Sequence, residues 1–313
     1  MGIQDEPMSR LKEPLVWPKT QYVREAAVDG MANRAAFELD QVEAGVDIAE
    51  AHGETVGRYR QYEQLLHGAV KLLQSVRLPI SGKGADLGSG TGVAACIMSK
   101  LDEVEEILAV EISEPFVRQV MPVVFRENAA KQEKIQRVVG DFSLLQVEDE
   151  TLGFITEIDA FHHSESLPAT LVECWRVLRP GGAILAIDRA WPDSTPQAEL
   201  EAKLDQQFPD HMKQKYNIPL SVNFTRRDWG EHEYTLGQWL DFFNAQGFDT
   251  AALLQYHPPG FNRFLLKLPA FEFSIALASM GYRLNRRKLW VYGFAPNRVT
   301  FIAVKPSGAN SKR

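Results

Sequence analysis

The chain has 313 residues, a formal net charge of −7 and a sequence pI near 5.6. Hydrophobic residues make up 45% of it, enough to bury a sizeable core, which excludes wholesale disorder. Nucleic acid is excluded as the main partner, because binding to a polyanion depends on an excess of basic residues. The composition therefore favours a small-molecule ligand.

Cysteine usage and hydropathy indicate the compartment. Cys96 and Cys174 lie in separate predicted helices without the spacing of metal ligands, so we expect two inert thiols in a reducing environment. The N-terminus has no apolar signal core, and no stretch reaches the roughly 18 apolar residues of a spanning helix. These features predict a cytoplasmic protein without a transmembrane segment.

The N-terminal quarter divides into two parts. Residues 1–20 carry three prolines among mixed charges, which predicts a flexible arm. Residues 21–78 have apolar positions at helical spacing and predict an N-terminal helical extension of two or three helices.

Residues 79–190 alternate short apolar runs with helical patterns, which is typical of a parallel sheet with helical crossovers. The first strand is predicted to end at 85–87, and further strands are predicted at 106–112, 135–139, 154–160 and 183–187. Helices are predicted at 93–101, 114–134 and 169–178. We expect this segment to be a Rossmann-like, cofactor-binding core.

The pattern changes after the fifth strand. Residues 191–235 are polar and predict a cap or lid, and residues 236–305 return to the sheet with one helix and two strands. A substrate-side insertion is predicted at about 257–297, where aromatic residues and a basic run favour a hydrophobic, anionic acceptor. The tail, 306–313, is predicted to be disordered.

A glycine-rich loop connects the first core strand to a helix. Residues 85–92 read Ala-Asp-Leu-Gly-Ser-Gly-Thr-Gly. Glycines at 88, 90 and 92 permit a sharp turn and a close approach of the backbone to a ligand. A tight structural turn is the alternative for this loop taken alone.

Two carboxylates follow at later strand ends. Glu111 ends the second core strand, where it can accept both hydroxyls of a ribose; Asp141 follows the third, where it can accept an adenine amino group. An exposed acid for Glu111 and a helix cap for Asp141 are the alternatives. Open α/β sheets bind ligands at the carboxyl ends of their parallel strands. The glycine loop, Glu111 and Asp141 all lie at such ends, so together they predict one ligand site.

The order of these motifs resembles that of class I S-adenosylmethionine-dependent methyltransferases. The motifs are, in chain order, Asp86, the glycine loop, Glu111, Asp141 and the Arg-Val-Leu-Arg-Pro-Gly-Gly segment at 176–182. The similarity is closest to the ubiquinone and menaquinone biosynthesis branch and covers roughly residues 76–187, and more loosely 235–304. It implies an α/β class I fold with a mostly parallel seven-stranded sheet and helices on both faces, here with a helical extension and cap insertions.

The resemblance also implies a cofactor site for S-adenosyl-L-methionine, whose product is S-adenosyl-L-homocysteine. Asp86 would organise its methionyl end, and Glu111 would hold its ribose. The remaining cofactor contacts would come from the loop backbone and from the adenine pocket: Gly88, Ser89, Gly90 and Gly92, then Ile112, Asp141 and Phe142.

Acceptor chemistry is expected beyond the next strand ends and in the cap. The candidates for a general base are His162, His163, His232 and Asp188, against capping or structural roles for each. Candidates for substrate binding are Asp159, Trp191, Arg227 and Tyr234. Asp159 and Asp188 lack the further ligand of a magnesium site, so no metal is predicted.

The predicted activity is methyl transfer to a small-molecule acceptor, with O-methylation before N- or C-methylation. A non-catalytic S-adenosylmethionine-binding protein is one alternative, because the acceptor side has no decisive motif. A nicotinamide-dependent oxidoreductase is another, but its G-x-G-x-x-G fingerprint differs from the spacing at 88–93. The oligomeric state, including a homodimer, is left open.

Overall fold

A computed structural model describes residues 11–20, 36, 59–75, 77–78, 80–254 and 298–307. Most of the predicted helical extension, the insertion at 257–297 and the tail at 308–313 lie outside the described residues. Among the described residues, no helix combines the length and apolar character needed to cross a bilayer.

Eight strands of the described residues form one sheet. In chain order they are β1 Leu15–Val16, β2 Gly82–Leu87, β3 Val104–Glu111, β4 Ile135–Val139, β5 Leu152–Ile158, β6 Leu178–Asp188, β7 Asp249–Leu254 and β8 Val299–Val304. Their order across the sheet is β1-β4-β3-β2-β5-β6-β8-β7. The first six of these run parallel, and β8 pairs antiparallel with both β6 and β7. The predicted fold is confirmed, with one strand more than the seven expected.

Seven α-helices accompany the sheet within the described ranges. They are α1 Tyr59–Ser75, α2 Val93–Ser99, α3 Met121–Glu127, α4 Leu167–Val177, α5 Gln197–Leu204, α6 Asp210–Lys215 and α7 Leu236–Ala245. A π-helical turn, Phe116–Val120, leads into α3, and 3₁₀ turns occur at Gln132–Lys134 and Phe161–His163. Helix α7 begins with a capping box formed by Thr235 and Gln238.

Each face of the sheet carries its own apolar core, because strand side chains alternate in direction. Along β6, Leu185 and Ile187 join the core built with α1, α2 and α3, whereas Ile184 and Ala186 join the core built with α4 and α7. The long apolar runs of the central strands reflect this two-sided burial.

Strand β1 is the strand beyond the seven expected, and it shows that part of the predicted flexible arm is ordered. Residues Leu15 and Val16 pair parallel with Val138 and Val139 of β4. Trp17 follows, is 8% exposed, and donates its backbone N–H to the Val139 carbonyl at 2.8 Å. The three prolines of this segment suggested that its backbone N–H and C=O groups would stay in water. Pairing with the edge strand β4 gives some of these groups hydrogen-bond partners instead.

Candidate active site

The glycine loop between β2 and α2 is open at one position only. All three glycines have positive φ: 64° at Gly88, 51° at Gly90 and 84° at Gly92. A Cβ at Gly88 would lie 2.4 Å from the Cβ of Ala160, and one at Gly92 would lie 2.4 Å from the ring of Phe125. A Cβ at Gly90 would meet no atom of the described residues within 4 Å. Gly88 and Gly92 are therefore required by packing, whereas Gly90 borders open space.

Asp86 organises this loop from within. Its side chain is buried; Oδ2 accepts hydrogen bonds from the Ser89 hydroxyl at 2.8 Å and the Ala95 N–H at 2.9 Å. Oδ1 accepts one from the Thr156 hydroxyl of β5 at 3.2 Å. Burial raises the pKa of Asp86 to about 6, although these bonds oppose the shift. Asp86 thus fixes the loop to the helix that follows it and to the neighbouring strand.

Glu111, at the end of β3, holds the open side of the loop. Its Oε2 accepts the backbone N–H of Gly90 at 2.9 Å, and its Oε1 accepts that of Ser113 at 3.0 Å. The residue is 5% exposed. A buried carboxylate in a fixed orientation therefore stands directly beside the space that Gly90 borders.

Asp141 joins the N-terminal segment to the end of β4. Its Oδ2 accepts hydrogen bonds from the Thr20 backbone at 3.1 Å and the Thr20 hydroxyl at 2.6 Å, and its Oδ1 accepts the Ser143 N–H at 2.8 Å. Lys19 reaches the Ile112 carbonyl at 3.3 Å. Thr20 was missed in the sequence because the arm was expected to be flexible, and no motif marks it.

The predicted adenine pocket residues lie around Asp141. Phe142 is half-buried, with its ring centroid 6.0 Å from that of Phe161, and Ile112 is half-buried after β3. Since β3 and β4 are parallel neighbours in register, Glu111, Ile112, Asp141 and Phe142 occupy one edge of the sheet.

On the acceptor side, Asp188 at the end of β6 fixes His162. The Nδ1 of His162 lies 2.7 Å from Oδ1 of Asp188, and the His162 backbone N–H donates to Oδ2 at 3.1 Å. Both side chains are buried. An ionised Asp188 accepts Nδ1–H, and this assigns the imidazole lone pair to Nε2.

Burial dominates the ionisation of this pair. It raises the pKa of Asp188 to about 6 in spite of nearby Arg189. Burial, together with Arg189, lowers the pKa of His162 well below its usual range. The pKa of His163 falls to about 3 through burial and the neighbouring His162, whose ring centroid is 4.2 Å away. Both imidazoles are therefore neutral near pH 7.

The end of the cap is hydrogen-bonded to this turn. His232 donates its backbone N–H to the His162 carbonyl at 2.8 Å, and its Nδ1 lies 3.1 Å from the same oxygen. The ring of Tyr234 stacks on His232 at 6.0 Å between centroids. Burial, followed by the charge of Asp188, raises the pKa of Tyr234 to about 12. The structure thus brings three of the predicted histidines and Tyr234 to one place.

A network of ion pairs surrounds the histidines. Oε2 of Glu231 lies 2.8 Å from Arg189 Nη2 and 2.6 Å from Arg226 Nη2. Glu233 pairs with Arg226 at 2.8 Å and accepts the Trp191 indole N–H at 2.6 Å. Trp191, the first residue of the predicted cap, therefore lies beside the histidines and is bonded to the last part of the same segment.

Two other predicted residues have different surroundings. Asp159 accepts hydrogen bonds from Arg298 and from the Tyr62 hydroxyl, so it joins α1 to the start of β8 near the site. Arg227 is exposed and pairs with Glu201 at 2.6 Å and Asp205 at 2.9 Å on the cap. The structure does not bring Arg227 to the histidines, and no sequence signal indicated Arg298.

The strand order, the glycine loop and the carboxylates at consecutive strand ends define a class I methyltransferase fold. Residues 85–186 match the family model described as a methyltransferase domain. The predicted resemblance to S-adenosylmethionine-dependent methyltransferases is confirmed over this segment, which is about a third of the chain.

A curated relative supports the same assignment. Malonyl-[acyl-carrier protein] O-methyltransferase of Methylococcus capsulatus (strain Bath) is 33% identical over 106 residues, which are 34% of this chain and 37% of that protein. The chain therefore matches little more than a third of the relative's length.

Two solved structures illustrate the neighbours of this chain. YcgJ of Bacillus subtilis has a TM-score of 0.49 at 17% identity, covering 78% of this chain and 100% of that chain. Phosphoethanolamine N-methyltransferase 2 of Haemonchus contortus, in complex with S-adenosyl-L-methionine, has a TM-score of 0.44 at 16% identity, covering 72% and 49%. The fold assignment itself rests on the strand order.

Proposed function

We propose that the chain is an S-adenosylmethionine-dependent methyltransferase that acts on a small-molecule acceptor. The observation that carries this proposal is the arrangement of Glu111 and Gly90. A buried strand-end carboxylate is fixed beside an open stretch of glycine loop, within the segment that matches a methyltransferase domain.

The described residues fit this cofactor. The space beside Gly90 admits a ligand close to backbone. Glu111 and Asp141 present carboxylates at neighbouring strand ends, suited to ribose hydroxyls and to the adenine amino group. Asp86, by contrast, acts through the loop that it organises.

The bound cofactor supplies an electrophilic methyl sulfonium, so the protein's main task is to align an acceptor atom. Such positioning can lower the activation free energy by roughly 7–11 kcal/mol. His162 presents a lone pair of fixed orientation to an acceptor hydroxyl, with His163, His232 and Tyr234 around it. A general-base role follows for His162, although burial makes it a weak proton acceptor.

We infer that the enzyme methylates an oxygen atom of its acceptor in preference to a nitrogen or carbon atom. A hydroxyl or carboxyl oxygen suits the lone pair and charges around His162, and the curated relative is named as an O-methyltransferase. The identity of the acceptor is addressed by screening hydroxylated and carboxylated small molecules for release of S-adenosylhomocysteine. Turnover also separates an enzyme from a non-catalytic binding protein.

Calorimetric titration tests the cofactor site. We expect S-adenosylmethionine and S-adenosylhomocysteine to bind the full chain, with at least about tenfold weaker binding in Glu111→Ala, since loss of a charge-assisted hydrogen bond costs about 1.5–3 kcal/mol. Glu105→Ala is the matched control, because Glu105 is exposed on the same strand. Preferential binding of NAD(P)H, or equal effects of the two variants, would contradict the proposal.

A further inference from the structure

One cluster on the acceptor side combines nitrogen and oxygen ligands. His162, His163 and Glu231 each offer one ligand atom, and these atoms lie within 4.8 Å of one another. Two of the residues come from the 3₁₀ turn after β5, and the third comes from the cap. The separations are short enough for side-chain rotations to bring all three onto one ion.

The imidazole of His162 is oriented as in many protein metal sites. Asp188 accepts its Nδ1–H and is itself fixed by the backbone N–H groups of His162 and Arg189. Ligating histidines commonly donate their other ring N–H to a carboxylate, which fixes the tautomer and strengthens the donor. Nε2 of His162 is therefore prepared as a ligand.

The other two donors are available without breaking the surrounding network. Among the described residues, the ring of His163 has no hydrogen-bond partner. The contacts of Glu231 with Arg189 and Arg226 all involve Oε2, so Oε1 can bind an ion while those pairs remain.

The formal charges of the cluster favour an added cation. Within the described part of the chain, four carboxylates meet three guanidinium groups around the histidines: Asp159, Asp188, Glu231 and Glu233 against Arg189, Arg226 and Arg298. Burial raises the pKa of Glu157 well above its usual range, so Glu157 is not counted as charged. Unpaired charge is costly in a buried site. An added cation would offset the formal excess of one negative charge.

We propose that His162, His163 and Glu231 bind a divalent transition-metal ion of the zinc or iron(II) class, with Asp188 as the carboxylate that orients His162. Two imidazoles and one carboxylate suit these ions, whereas magnesium and calcium prefer oxygen ligands. The donor set differs from the Asp159 and Asp188 site considered in the sequence, for which no metal was predicted.

Three protein ligands leave coordination positions for another oxygen. An acceptor hydroxyl bound there would lose its proton more readily, because the ion stabilises the resulting alkoxide. With the ion bound, His162 would act as a ligand through Nε2 and not as the general base, and the hydroxyl proton would pass to water. This role rests on the proposed methyl transfer, whereas the binding site itself does not.

Zinc titration of the full chain tests the site directly. After treatment with a chelator and dialysis, we expect one Zn²⁺ per chain by calorimetry and elemental analysis. His163→Gln and Glu231→Gln should each weaken binding at least about tenfold, and Asp188→Asn should weaken it about 10- to 100-fold. His211→Gln is the control, because His211 is exposed on the cap. Circular dichroism checks that each variant is folded.

A second readout uses Co²⁺ in place of Zn²⁺, since its visible absorption reports the ligands. We expect a spectrum that changes in His163→Gln and remains unchanged in His211→Gln. Absence of stoichiometric binding, or equal binding by the ligand variants and the control, would overturn the metal site. Titration with S-adenosylmethionine is an independent test. If the chain binds Zn²⁺ but not S-adenosylmethionine, the methyltransferase proposal is contradicted and the metal site is still supported.

Discussion

Acidic side chains of similar appearance in the sequence have different structural roles. Asp86 is buried inside the loop and bonds to Ser89 and Ala95, whereas Glu111 holds Gly90 from the next strand end. Asp141 is bonded to Thr20 of the N-terminal segment. Their common placement follows from the parallel sheet, but each partner is set by contacts distant in sequence.

Substitution of two loop glycines separates packing from ligand binding. Gly90→Ala places a methyl group in open space, so we expect a small loss of stability from the left-handed backbone, about 1–2 kcal/mol, with at least about tenfold weaker S-adenosylmethionine binding. Gly88→Ala has the same backbone cost and also clashes with Ala160, so its unfolding free energy should fall further.

Denaturant unfolding and calorimetry measure the two effects. Because Gly88 and Gly90 share a positive φ, each variant is the control for the other. Normal cofactor binding by Gly90→Ala would show that the ligand does not approach this part of the backbone.

At the level of elements, the segment 191–235, which is predicted to be a cap, has its own small core. Phe208, Tyr216 and Trp229 are buried against one another, with ring centroids 4.5 to 5.9 Å apart. The ion pair of Glu231 with Arg189, which follows β6, and the hydrogen bond of His232 with the His162 carbonyl connect this segment to the strand ends. The cap therefore positions site residues by packing that is separate from the sheet.

Truncation of Trp229 should loosen the cap selectively. Large-to-small changes at buried aromatic positions cost about 3–5 kcal/mol, and Trp229 is 6% exposed within the small cap core. In Trp229→Ala we expect faster hydrogen exchange of the cap amides while strands β2 to β6 keep their protection. Hydrogen-exchange mass spectrometry measures both regions in one experiment.

Leu220→Ala is the matched control, since Leu220 belongs to the same cap and is 50% exposed. Its exchange should equal that of the unsubstituted chain. Uniformly faster exchange in Trp229→Ala, including the central strands, would show that the cap and the sheet unfold as one unit.

For the whole molecule, burial of Asp86 makes stability depend on pH. Burial raises its folded pKa to about 6 from an ordinary value of 3.8, so the folded chain binds this proton more tightly than the unfolded chain. The contribution of Asp86 to stability should therefore decline as pH rises from about 4 to about 6. The difference between the two pKa values corresponds to at most about 3 kcal/mol.

Asp86→Asn removes this titration. The amide oxygen can accept from Ser89 and Ala95, and its nitrogen can donate to Thr156, whose hydroxyl accepts as well as donates. We expect the unfolding free energy of the unsubstituted chain, relative to the variant, to fall between pH 4 and pH 7. Urea unfolding at several pH values measures the difference.

Asp102→Asn is a control of opposite sign. Asp102 is exposed, and its hydrogen bond with Lys131 lowers its pKa, so its small stabilising contribution should be lost as pH falls. A pH dependence that is the same in Asp86→Asn and in the unsubstituted chain would contradict a raised pKa at Asp86.

The amino-acid sequence predicts the alternation of strands and helices, the glycine loop and the acids that end the strands. These are local patterns, because periodicity, turn chemistry and strand-end position depend on neighbouring residues. The strand predicted at 135–139 has the bounds that the structure shows. The class of domain followed from the order of those motifs.

The contacts between side chains that are distant in sequence are visible in the folded structure and could not be predicted beforehand. The pairing of β1 with β4, the contact of Thr20 with Asp141 and the grouping of His162, His163 and Glu231 join residues far apart in the chain. Such contacts depend on strand order and on the path of the cap, which local propensities do not specify. Burial in that arrangement, more than residue type, also sets the ionisation of Asp86, His162 and Asp188.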